Sequence, residues 1–167
     1  FHVWGANSAG VMTGGSARKT AAQSRTHNWE HTFSKDFDNN GLISGGSSYL
    51  LAGPDGPITL RNSRGWTPSD ASTPNWDATH AIRTPTGYKV LLTGAAAQSN
   101  KFYVWDVNSA GVITRGSGWK TSLEASSLNW ERTYAKDVEN KGRTSGAPSH
   151  LHNGPDGQTT QRRRRSR

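Results

Sequence analysis

Apolar residues in this chain come in short bursts divided by Gly, Ser, Asn and Pro, a pattern of brief strands and turns. Tyr88-Lys-Val-Leu-Leu92 and Phe102-Tyr-Val-Trp-Asp106 read as strands, bridged by Thr93 to Lys101. Val112-Ile-Thr114 follows the turn Asn108-Ser-Ala-Gly111, and Gly53-Pro-Asp-Gly56 marks a turn before Ile58-Thr-Leu60. The period changes over Thr121 to Lys136, where Leu123, Ser127, Trp130 and Tyr134 fall on one helical face behind Ser and Thr caps. Thr20 to Lys35 repeats the pattern with Ala22, Thr26, Trp29 and Phe33, so a single helix is expected at each place. The polar stretch Trp66 to Pro85 reads as loop, with one edge strand around Gly65-Trp66-Thr67. Gln158 to Arg167 has no apolar residue to bury and is expected to be disordered.

The two helical segments belong to a longer echo. Phe1-His-Val-Trp-Gly-Ala-Asn-Ser-Ala-Gly-Val11 returns as Phe102-Tyr-Val-Trp-Asp-Val-Asn-Ser-Ala-Gly-Val112, and the match runs ungapped to Gly53–Gly56 and Gly154–Gly157. The offset is 101 residues, and about half of the aligned positions are identical, which marks a duplication. The expected fold is α+β: a tandem repeat of about 101 residues, each unit a small antiparallel β-meander with one packed helix. Residues 1–52 are then the C-terminal part of one repeat, 53–153 a complete unit, and 154–167 the start of a next unit with the Arg-rich tail. Trp4 and Trp105 should be equivalent and largely buried, as should Trp29 and Trp130.

Composition narrows the class. Hydrophobic content is 31%, too low for a thick aliphatic core, so the 7 Trp and 4 Tyr must supply much of the buried area. The absence of cysteine argues against a disulfide-stapled module and excludes cysteine catalysis. No run is long and apolar enough for a transmembrane segment. Five Arg lie within the last six residues, and without them the net charge of +8 falls to +3, so the basicity is mostly a property of the tail.

Four constellations could carry chemistry. Asp36-Phe-Asp38-Asn-Asn40-Gly41-Leu42 matches the opening of a calcium loop, with Asp36, Asp38, Asn40 and the Leu42 carbonyl as ligands. Ser47 stands where an EF-hand has its bidentate Glu, so affinity is expected to be weak, around 10⁻⁴–10⁻³ M. The second copy, Asp137-Val-Glu139-Asn-Lys141-Gly142, puts an ammonium in the cage and should bind nothing; both loops also read as helix-ending Asx/Gly turns. His27-Asn-Trp-Glu30-His31 fits the H-x-x-E-H zinc pattern of a secreted hydrolase, but Leu128 and Arg132 replace the histidines in the second copy. Trp66 and Trp119 sit in loop contexts suited to stacking on a glycan, and Trp119 is matched by Arg18. Arg162, Arg163, Arg164 and Arg165 would attract a polyanion through counterion release, with no aromatic interleaved for base stacking. No Ser/His/Asp arrangement and no phosphate-binding Gly loop is present, so a non-catalytic role is expected.

Gly65-Trp-Thr-Pro68, Gly87-Tyr-Lys-Val90, Tyr103-Val-Trp-Asp-Val-Asn-Ser-Ala-Gly111 and Glu30-His-Thr-Phe-Ser-Lys-Asp-Phe-Asp-Asn-Asn-Gly41 resemble the tryptophan-rich repeat domain of secreted bacterial calcium-binding, RTX-like and adhesin-like proteins. The resemblance spans Phe1 to about Gly146. It departs in the degenerate second acidic loop and in Leu91 and Leu92, where a family Trp is expected. It implies an extracellular or cell-surface binding or spacer module and no catalytic residues.

Overall fold

The computed structural model describes residues 1–140, without the side chains of Ala22, Arg25 and Thr26. Lys141, the boundary at Gly154 and the tail with Arg162–Arg165 lie outside the described residues. No helix among the described residues is long and apolar enough to cross a membrane.

The chain opens with an antiparallel hairpin, β1 (Trp4–Ala6) and β2 (Met12–Gly15). Two short helices follow, α1 (Ala21–Thr26) and α2 (Trp29–Phe33). A three-stranded sheet comes next, built from β3 (Leu42–Ile43), β4 (Leu50–Gly53) and β5 (Gly56–Thr59). The largest sheet holds β6 (Trp76–Thr84), β7 (Gly87–Gly94), β8 (Lys101–Asn108), β9 (Ile113–Gly116) and β10 (Lys120–Thr121). Within it β7 pairs with β6 and β8, while β9 and β10 share the far edge of β8. Helices α3 (Ser122–Ser127) and α4 (Trp130–Tyr134) close the described part. Mixed helices and antiparallel sheets make this an α+β arrangement.

Two apolar clusters hold these elements together, one on each face of the β6–β8 sheet. On one face Val90, Leu92, Tyr88 and Val107 meet Leu42, Tyr49, Leu51 and Leu60 from the small sheet and its flanks. On the other, Leu91, Phe102 and Val104 receive Ala125, Tyr134 and Val138, with Trp130 and Ile82 at the margin. Side chains one residue apart on β7 and β8 thus enter opposite clusters, as the pleat requires. Gly53 and Gly56 close the β4–β5 hairpin, so the boundary expected near Gly53 falls at its turn.

Three expectations are corrected. The stretch Trp66 to Pro85 is not loop: it contains the nine-residue strand β6, while the strand expected at Gly65–Thr67 does not form. A register shift between Ala78 and His80 lets Ala78 and Ala81, three residues apart, both turn inward, which hides the strand from a period-two reading. Each expected helix is two helices, broken where Asn28 (φ 55°) and Asn129 (φ 57°) adopt the left-handed conformation. That break undoes the long aromatic stripe, and Leu123 is exposed. Trp4 is 58% exposed, whereas Trp105 is half-buried against Trp76 at 5.0 Å between ring centroids.

Local structure recurs at the 101-residue offset. β1 meets β2 as Trp4↔Gly15 with a register shift after Gly5, and β8 meets β9 as Trp105↔Gly116 with a shift after Asp106. Asn7 Oδ1 accepts from the N–H groups of Ala9 and Val11, and Asn108 Oδ1 from those of Ala110 and Val112. Ser16 and Ser117 each receive the N–H of the residue across the hairpin, Val3 and Val104.

Candidate functional site

The helix break aims a carboxylate into the protein. Because Asn28 resets the backbone, α2 carries Glu30 inward, and its side chain is fully buried. Glu30 Oε1 accepts the Phe37 N–H at 3.2 Å, and Oε2 accepts both the Ser44 hydroxyl at 2.9 Å and the Ser44 N–H at 3.3 Å. The buried charge is therefore satisfied by donors from the loop that follows the helix and from the end of β3. Glu131 recurs in this role, buried and accepting the Val138 N–H at 3.2 Å.

Around Glu30 the acidic loop folds on itself. Asp36 takes the N–H of Asn40 at 3.2 Å and that of Gly41 at 2.8 Å on its two oxygens. Asp38 accepts the Asn40 N–H and its side-chain amide, each at 3.2 Å. Oxygens of Glu30, Asp36 and Asp38 lie within 4.8 Å of one another. Burial holds the Asp36 carboxyl above its usual range, the nearby Asp38 raises it further, and the Gly41 and Asn40 N–H groups offset part of that rise. Three acidic groups this close repel one another, and a hard divalent cation is the ion that oxygen donors of this kind would hold.

Of the expected calcium ligands, Asp36 and Asp38 are brought together. Asn40 is not aimed the same way: its carboxamide oxygen accepts the Leu42 N–H at 2.8 Å, and its nitrogen faces Asp38. Leu42 begins β3 and its side chain is buried. The sequence reading missed Glu30 as a member of this cluster, although its recurrence as Glu131 marked it as needed by the fold.

The H-x-x-E-H pattern does not fold into a zinc face. His27 lies outside both helices and packs on Trp29 at 5.6 Å, and the three-carboxylate group includes neither His27 nor His31. Trp119 stands edge-on to Tyr103 at 5.4 Å and joins Trp76, Leu92 and Trp105 around an aromatic recess of about 170 Å³. Trp66 does not line that recess; it is exposed on a tight turn closed by Asn62. In the first half Arg18 occupies the place of Trp119.

Comparison with known proteins gives no match, whether to protein-family models, to curated sequences or to solved structures.

Proposed function

We propose that the chain is a non-catalytic binding or spacer module, built from tandem units of about 101 residues, in a secreted or surface-attached bacterial protein similar to the tryptophan-rich repeat proteins. The observation that carries this reading is what recurs between the two halves. The hairpin register, the Asn turns, the helix break and the buried Glu are repeated, and all of them are scaffold. Outside the acidic cluster, side chains with chemistry to offer are exchanged: Gly5 for Asp106, Arg18 for Trp119, His27 for Leu128 and His31 for Arg132. A catalytic unit would keep its reactive groups and let the surface drift. The partner class is a glycan or another cell-surface ligand, with Trp119 and its recess as the contact.

The same reading gives the first acidic loop one weakly held calcium ion. Asp36 and Asp38, with Glu30 behind them, supply oxygen donors, and water completes a shell that calcium prefers at 6–8 oxygens. Calorimetry should show at most one site with a Kd of about 10⁻⁴–10⁻³ M, lost in Asp38→Ala. Two sites of similar affinity, or binding that survives Asp38→Ala, would overturn the assignment.

A further inference from the structure

The two halves share a framework, yet their apolar faces have opposite fates. In the second half β8 is an inner strand: β9 and β10 lie along one edge and β7 along the other, from Phe102↔Thr93 to Asn108↔Gly87. In the first half β1 pairs with β2 alone, and among the described residues no strand lies along its other edge. Phe102 is 5% exposed and Tyr134 is 4% exposed, whereas their counterparts Phe1 and Phe33 are 51% and 48% exposed. Phe1, Val3, Trp4, Trp29, Phe33 and Phe37 line an open groove of about 260 Å³ beside that free edge. Phe37 bends into it, 4.7 Å from Phe1 and 6.3 Å from Phe33 between ring centroids.

What covers this surface in the second half is visible. Leu91 of β7 is buried in one cluster with Phe102, Val104, Tyr134 and Val138, and Trp130 and Ile82 of β6 pack against it. The first half offers Phe1, Val3, Phe33, Phe37 and Trp29 at the places of Phe102, Val104, Tyr134, Val138 and Trp130, each identical or apolar for apolar. The backbone on offer also matches, because the bonds joining Val3 to Ser16 leave the opposite edge of β1 for a new strand, as those joining Val104 to Ser117 leave it for β7.

We infer that the groove and free edge of β1 form an acceptor site for a β-hairpin of the Trp76–Gly94 pattern, running antiparallel to β1 as β7 runs to β8. Strand addition would provide the main-chain bonds, and aliphatic side chains at the places of Ile82 and Leu91 would fill the aromatic groove. The inference goes beyond the proposed function, since it holds whatever ligand the module serves.

The test is a graft on the full chain: a second copy of residues 66–101 placed directly before Phe1, so that the hairpin meets β1 as it meets β8. Amide hydrogen exchange of residues 1–7 is the readout. Exchange should slow roughly tenfold or more in the graft and return to the parent rate when Ile82→Lys and Leu91→Lys are made in the grafted copy alone. Unchanged exchange overturns the inference, whether or not the grafted strands protect themselves, because the groove then fails to hold the hairpin. Equal protection by the lysine variant overturns it too, since the groove would play no part. Protection of residues 1–7 in the parent that grows with protein concentration would assign the edge to a second copy of the chain instead, and also overturns it.

Discussion

A single glycine pair separates backbone need from packing need. Gly10 (φ 77°) and Gly111 (φ 79°) occupy the same turn position, both in the left-handed region. A Cβ at Gly10 would meet nothing within 4 Å, but one at Gly111 would overlap the Thr59 carbonyl oxygen. Gly10→Ala should therefore cost about 1–2 kcal/mol, the backbone term alone. Gly111→Ala should cost about 1–3 kcal/mol more, because β5 must move away. Urea midpoints of the two variants check the order, and equal losses would contradict it. These turns were legible in the sequence, since Asn-Ser-Ala-Gly carries its own mechanism: the Asn side chain caps the turn and Gly accepts the positive φ. Glu30 was less legible. Its partner Ser44 lies fourteen residues away, and no local pattern reports a bond made at that range.

At the scale of elements, Asn28 and Asn129 decide where the helices point. Asn tolerates the left-handed conformation better than most residues, but it also occurs inside ordinary helices, so an unbroken i, i+4 stripe reads as one helix. Asn129→Gly should leave stability nearly unchanged, while Asn129→Val should cost about 1–2 kcal/mol and lower the protection of α4. Thermal unfolding of the pair, with hydrogen exchange over Trp130–Tyr134, checks this; a neutral Val would mean the break does not depend on residue 129. The strands around Val90 and Val104 were readable because both faces are covered, so each is a near-continuous apolar run, and no register shift interrupts their pairing. β6 was not, because its bulge shifts the inward side chains from two residues apart to three.

For the molecule as a whole, pH acts in opposite directions through Asp106 and Asp36. The hydrogen bond from Lys89 at 2.5 Å, helped by Arg115 at 2.9 Å, holds Asp106 below its ordinary 3.8. Its contribution is present above that value and is lost as pH falls through the folded-state value. Asp36 is held above 3.8, so its contribution is present in acid and is lost as pH rises through its folded-state value. Calcium would relieve the Asp36 repulsion, so its stabilising effect should be full near neutral pH and fade as protons compete toward pH 4. At ten times Kd the gain is about 1.4 kcal/mol, readable as a rise in Tm that Asp38→Ala abolishes at every pH. The α+β class could be read from the chain, but the packing of one half on the other could not. Gly41 sits so close to β6 that a Cβ would overlap the Ala81 carbonyl oxygen, and Ala81 donates its N–H to the Asn40 carbonyl at 2.6 Å. The acidic loop of one half is thus stitched to the outer strand of the other, with no pliable linker at that junction. If the units proposed above stand in a row joined in this way, bending would have to break the bond between Asn40 and Ala81, so the row should be stiff and yield to tension by unfolding a unit, not by swivelling.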